Sequence, residues 1–118
     1  MTVDESRAET GAERAARRYL AAVNEADFVG LEALLAPDAV LEHPAGVFTG
    51  AASITTFYRE SVLGLGTTLL ALSTTCEENR CVVEVEGRSP SGDDVVHACD
   101  VFDVDGQGRI VSMRVYIR

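Results

Sequence analysis

The sequence predicts an α+β fold: three N-terminal helices packed against a curved antiparallel sheet. Three observations predict it. Apolar residues recur at three- and four-residue steps through the first half of the chain. From Thr67 onward the period changes to two. Clusters of turn-forming residues separate the later runs: Glu78-Asn79, Ser91-Gly92-Asp93 and Asp105-Gly106-Gln107-Gly108. A chain of 118 residues holds one domain. We divide it into a polar tail over 1–10 and a domain over 11–118. A curved sheet wrapped on helices forms a cone that leaves room for one apolar pocket.

The elements follow in order. Ala12, Ala16, Tyr19, Leu20 and Val23 make the apolar face of a first helix, with Arg14, Arg17 and Arg18 on its other faces. Asn24-Glu25-Ala26-Asp27 breaks that pattern. Asp27 is placed to cap a second short helix carrying Phe28, Leu31, Leu34 and Leu35, which Pro37-Asp38 ends. Ala39 to Glu42 reads as a short strand closed by Pro44, and Gly46 to Gly50 as a loop. A third helix over about Ala51 to Val62 carries Ile54, Phe57, Tyr58 and Val62 as its stripe, with Gly64 and Gly66 as terminators. Four strands follow: Thr67 to Cys76, Cys81 to Arg88, Asp94 to Val104, and Arg109 to Ile117.

Composition narrows the function. Hydrophobic residues make up 47% and charged residues 25%, as in an ordinary globular chain. Ten basic against 19 acidic residues give a net charge of −9, which repels phosphate backbones and anionic lipid surfaces. Nucleic-acid and membrane partners are therefore not expected, whereas a neutral hydrophobic ligand is compatible. The polar, acidic start has no apolar central region of the secretory kind, and we expect a cytoplasmic protein. Cys76, Cys81 and Cys99 are an odd set, for which free thiols are expected. Cys76 and Cys81 flank a turn and could face each other across a hairpin; we expect two small apolar strand residues there. No Cys/His group has zinc spacing, and no metal is expected.

Within Val95 to Phe102 one carboxyl interrupts an apolar strand. Alternation puts Val96, Ala98, Asp100, Phe102 and Val104 on one face, read as the inside. A carboxyl buried there should have a raised pKa and donate a hydrogen bond when protonated. The alternative is an Asp capping a bulge or paired with a cation such as Arg114.

Three stretches carry a family resemblance. They are Arg18 to Asn24 running on through Asp27 and Leu34; Pro37 to Gly46 with Gly50 and Phe57-Tyr58; and Asp100-Val101-Phe102 followed by Gly106 to Arg114. In these the chain resembles bacterial steroid Δ5-3-ketoisomerases, within the nuclear-transport-factor-two-like (SnoaL-like) superfamily. That resemblance implies an oxyanion hole made by a helix tyrosine and a protonated aspartic acid, and a general base before a proline. Position by position these fall on Tyr19, Asp100 and His43, where the family has Asp in place of His43. Tyr58 matches a tyrosine that supports the oxyanion tyrosine. The resemblance also implies a homodimer through the outer face of the sheet, where alternation places His97, opposite Asp100.

Each residue has a plainer alternative. Tyr19 would serve equally as a core tyrosine with a satisfied hydroxyl. His43 is either a general base, since imidazole is largely neutral above its pKa of about 6.5, or a polar wall residue. Glu42 should point to the opposite side of the strand. The expected substrate-binding lining is Val23, Phe57, Tyr58, Phe102, Met113, Val115 and Ile117, with Phe48 closing the loop. The activity expected is a cofactor-free isomerase acting α to a carbonyl of a hydrophobic, steroid-like or polyketide-like substrate. The alternatives are a polyketide cyclase or epoxide-opening enzyme, and a non-catalytic ligand-binding or dimerising module.

Overall fold

The Thr10 hydroxyl accepts a hydrogen bond from the Glu13 N–H at 3.0 Å and so starts the first helix, α1 (Gly11–Glu25). Glu9 is tied to Arg17 by an ion pair at 2.8 Å. The computed structural model describes residues 9–62 and 66–118, so the expected tail over 1–8, the side chain of Val62 and Gly64 lie outside the described residues. The buried face of α1 is Ala12, Ala15, Ala16, Tyr19, Ala22 and Val23. Its small residues let the helix approach the sheet closely, and Tyr19 is the large side chain among them. Ala26, left-handed at φ 54°, ends the helix.

The Asp27 carboxylate accepts from the Gly30 N–H at 2.9 Å and caps α2 (Phe28–Leu34). Leu35, expected on this helix, is instead the first residue of β1 (Leu35–His43). Ala36, which precedes Pro37, is pushed toward extended backbone, and Leu35 beside it finds a strand partner in Ile110. The expected loop at Gly46 to Gly50 contains β2 (Gly46–Thr49), which forms a hairpin with β1 through the two-residue turn Pro44-Ala45. Flanking glycines hid this strand; Gly46 (φ 146°) and Gly50 (φ 99°) hold backbone that other residues rarely adopt.

The third helix has two parts. Regular α3 (Ala51–Phe57) passes into a wider π-helical turn over Tyr58–Val62. Phe57 and Tyr58 are both buried. The strands β3 (Thr68–Cys76), β4 (Arg80–Arg88), β5 (Val95–Val104) and β6 (Ile110–Ile117) make the expected antiparallel meander. The sheet order is β2-β1-β6-β5-β4-β3, and β1 runs parallel to β6. The sheet is therefore mixed rather than wholly antiparallel. No short turn joins β1 to β6, so nothing forces them to run antiparallel.

The core fills the space between α1 and the inner face of the sheet, where Leu41, Ile54, Cys81, Phe102 and Ile110 are fully enclosed. Cys76 and Cys81 are directly paired across the β3–β4 hairpin, their Cα atoms 4.0 Å apart, and form a disulfide. This corrects the expectation of free thiols at these two positions. Register, which cysteine count does not reveal, brought them together. Cys99 is free.

Candidate active site

One end of the cone is open. A cavity of about 410 Å3 enters there between the end of β1, the π turn and the inner face of β3 to β6. Its walls are apolar: Phe57, Leu69, Val85, Ala98, Val115 and Ile117. Its polar groups are Tyr19, Tyr58 and Asp100, with His43, Ser61 and Thr67 also on the lining. A larger surface groove of about 910 Å3 runs between α2, β1 and the start of α3, but among the described residues Glu32 is the sole ionisable side chain on it. The smaller cavity collects the buried polar groups and is the site the chemistry favours.

Asp100 projects from the inner face of β5, in register with Val83 on one side and Val115 on the other. It is 4% exposed. Burial pushes its pKa up to about 7, because desolvation disfavours the carboxylate. Arg114, the cation suggested as an alternative partner, faces the opposite side of the sheet and lies 3.7 Å from Asp103. Asp100 is thus a carboxyl poised to be neutral and to donate.

Tyr19 comes from the middle of α1 and Tyr58 from the first residue of the π turn. The Tyr19 hydroxyl donates to that of Tyr58 at 2.8 Å, and the rings meet edge-on at 5.7 Å. Burial raises both phenol pKa values, and the neighbouring Asp100 adds to the effect. The shared bond consumes the Tyr19 proton and leaves the Tyr58 proton for a ligand; when the bond reverses, Tyr58 donates and the Tyr19 proton is free instead. Phe102, two residues along β5 from Asp100, supports the Tyr19 ring from beneath at 5.0 Å.

His43 is the last residue of β1, just before the turn. One step beyond the Glu42–Arg114 pair it comes level with Val115. Val115 is in turn paired with Asp100. His43, Val115 and Asp100 therefore form a row across three strands, with the outer two backbones about 10 Å apart. The His43 ring packs edge-on against Phe57 at 4.9 Å. Its Nδ1 accepts the Ala45 N–H at 3.0 Å. Partial burial lowers its pKa.

The fold brings Tyr19, Tyr58, His43 and Asp100 to one cavity, together with Phe57, Val115 and Ile117. It does not bring Val23, Phe102 and Met113 there. All three are core residues at or below 1% exposure. Two residues along a strand is about 7 Å, and that step carries Phe102 beneath α1. Phe48 stacks on Phe57 at 4.3 Å and lines a neighbouring cleft. Leu69, Val85, Gly87 and Ala98 were not anticipated on the lining. Alternation along β4 and β5 carries the information for the last three. Glu42 is exposed, and His97 is on the outer face beside Glu86 at 3.6 Å.

Residues 16–113 match the SnoaL-like domain family. The chain belongs to that family. It is 33% identical over 106 residues to a steroid Δ-isomerase of Nocardioides simplex, covering 86% of this chain and 85% of the relative. Solved structures show the same SnoaL-like fold. A candidate ketosteroid isomerase from Kribbella flavida superposes with a TM-score of 0.82 at 21% identity, covering 92% of this chain and 78% of that one. A candidate polyketide cyclase from Sinorhizobium meliloti gives 0.78 at 19% identity, covering 87% and 94%.

Proposed function

We propose that this SnoaL-like chain is a cofactor-free isomerase that moves a proton α to the carbonyl of a hydrophobic, steroid-like or polyketide-like substrate. The observation that carries the proposal is Asp100, a buried carboxyl with a pKa near neutrality, in one cavity with the linked Tyr19–Tyr58 hydroxyls. Two neutral donors that converge in an apolar enclosure suit an oxygen that gains negative charge during reaction. The similarity to a steroid Δ-isomerase supports the same reading.

The steps balance without a cofactor. For a β,γ-unsaturated 3-ketosteroid, His43 takes a proton from C4, and the electron pair moves into an enolate whose oxygen is held by Asp100 and by Tyr19, once the Tyr19–Tyr58 bond has reversed so that Tyr58 donates and the Tyr19 proton is free. The imidazolium then returns the proton to C6, and the double bond comes into conjugation with the carbonyl. His43 suits a proton carrier because burial keeps it neutral near pH 7. To accept a proton at Nε2, the ring must first adopt the tautomer protonated on Nδ1. That tautomer gives up the Ala45 bond at a cost of about 1 kcal/mol.

The test is the rise in enone absorbance when the protein meets a β,γ-unsaturated 3-ketosteroid. Wild type is expected to turn over, and Tyr19→Phe and Asp100→Ala to lose most of the rate. Unchanged turnover in both variants would refute the oxyanion-hole assignment. If turnover appears only in His43→Asp, the natural chain is not a competent isomerase, and the binding-module or cyclase reading replaces it. The homodimer belongs to the same proposal. Leu70, Val95 and Tyr116 stand exposed on the outer face of the sheet, where a second copy would cover them, and sedimentation of wild type against Tyr116→Glu reads it.

A further inference from the structure

His43 differs chemically from a carboxylate base in a way that the turn after β1 makes specific. A backbone N–H can only donate, so the Ala45 N–H at 3.0 Å from Nδ1 requires a lone pair there. A neutral imidazole with a lone pair on Nδ1 carries its proton on Nε2. The bond joins residues two apart within the tight turn between β1 and β2, so the fold itself supplies it. Burial against Phe57 and the cavity keeps the ring in the neutral form in which this tautomer matters. A carboxylate at position 43 would accept at every free lone pair, whereas this ring offers a donor.

We infer that His43 is a hydrogen-bond donor to the ligand, and that the cavity selects hydrophobic molecules bearing a second acceptor oxygen opposite His43, in addition to the carbonyl at Tyr19 and Asp100. The inference rests on the carbonyl end of the reading above and concerns the ground-state complex. The two donor sets sit at the ends of the row His43–Val115–Asp100. Between them the wall is the apolar Val115. A ligand with a single oxygen presents C–H to the Nε2–H and leaves that donor without an acceptor once water is expelled. A donor that loses its water and finds no acceptor weakens binding, so the second oxygen favours the ligands that carry it. Ser61 and Thr67 line the same cavity, but each hydroxyl also accepts and so does not impose the same polarity.

The probes are 4-androsten-3-one and its two 6-hydroxy epimers. With the 3-carbonyl at Tyr19 and Asp100, a proton carrier for isomerisation must reach C6, so an oxygen on C6 comes opposite His43. Calorimetry on the full chain should show one epimer binding at least about tenfold tighter than the parent ketone. That preference should vanish in His43→Ala and persist in His43→Gln, whose amide can place a donor near the position of Nε2. A preference retained in His43→Ala would overturn the assignment. Long-range 1H–15N correlations of histidine-labelled wild type read the tautomer without any substitution. A proton on Nε2 is expected, and one on Nδ1 overturns the proposal. Isomerase turnover, measured in parallel, separates the two readings. Turnover without the epimer preference sinks the donor role alone, and preference without turnover supports the donor role and sinks the isomerase reading.

Discussion

The hydroxyls of Tyr19 and Tyr58 meet at 2.8 Å although the two residues are 39 positions apart in the chain. One belongs to a helix and the other to the first residue of a π-helical turn. The pair has one proton left over for a ligand, so its members are not independent. Tyr19→Phe should lower turnover of a 3-ketosteroid by about a hundredfold or more. Tyr58→Phe, which leaves a single unsupported hydroxyl, should lower it by about tenfold. The double variant should be no slower than Tyr19→Phe. Additive losses in steady-state kinetics would show that the two hydroxyls act separately.

Proton transfer needs His43 neutral and Asp100 protonated, which confines activity to a narrow pH range. The His43 pKa lies below its ordinary value of about 6.5 because of burial. That of Asp100 is pushed up to about 7. The pH profile of kcat/KM should therefore be a bell, rising with an inflection below about 6.5 and falling near 7. Asp100→Asn should remove the falling limb. His43→Asp should move the rising limb down into the carboxylate range. A falling limb that survives in Asp100→Asn would assign it to another group.

Asp100 also makes stability depend on pH, with a sign opposite to that of a paired carboxylate. The native state holds the Asp100 proton to about pH 7, whereas an unfolded aspartate releases it near 3.9. Between these values the native state binds more protons, so stability falls as pH rises, by up to about 4 kcal/mol across the window. Asn at this position cannot ionise. Urea denaturation at pH 5 and pH 8 should show wild type losing stability between the two, with Asp100→Asn nearly flat and the more stable at pH 8. Parallel curves would mean that the carboxyl is not neutral in the native protein.

The Cys76–Cys81 disulfide closes the β3–β4 hairpin at the end away from the cavity, whose lining on these strands comes from Leu69, Val85 and Gly87. A short loop of this kind contributes about 2 kcal/mol by restricting the unfolded chain. The Cys76→Ser, Cys81→Ser variant should lose about that much in denaturant titration and keep the ligand affinity of wild type. A large loss of affinity would show that the hairpin end and the cavity are coupled.

The meander and its turns were legible because burial alternates with period two along β4 and the later half of β5, and turn-forming residues separate the four strands. Asp100 could be placed inside from its neighbours alone, since a carboxyl in an apolar strand face allows few readings. The start of β1 was not legible. Leu31, Leu34 and Leu35 keep helical spacing, and the tertiary pairing of Leu35 with Ile110 decides the matter. The cavity lining was legible by face but not by depth. Phe102 and Asp100 share one face of β5, yet α1 covers one and leaves the other open to the cavity. The Nδ1 bond of His43 depends on a two-residue turn whose conformation composition does not specify.

The parallel pairing of β1 with β6 has a consequence for how the protein folds. Val40 meets Ser112 across about 70 residues of intervening chain, so loop-closure entropy opposes this contact more than any hairpin in the meander. The β3–β6 meander, which carries Asp100, can form from local contacts, while His43 is placed only when an early strand meets the final one. The two ends of the cavity thus belong to different kinetic events, and a chain still emerging from the ribosome has no site until its last strand is made.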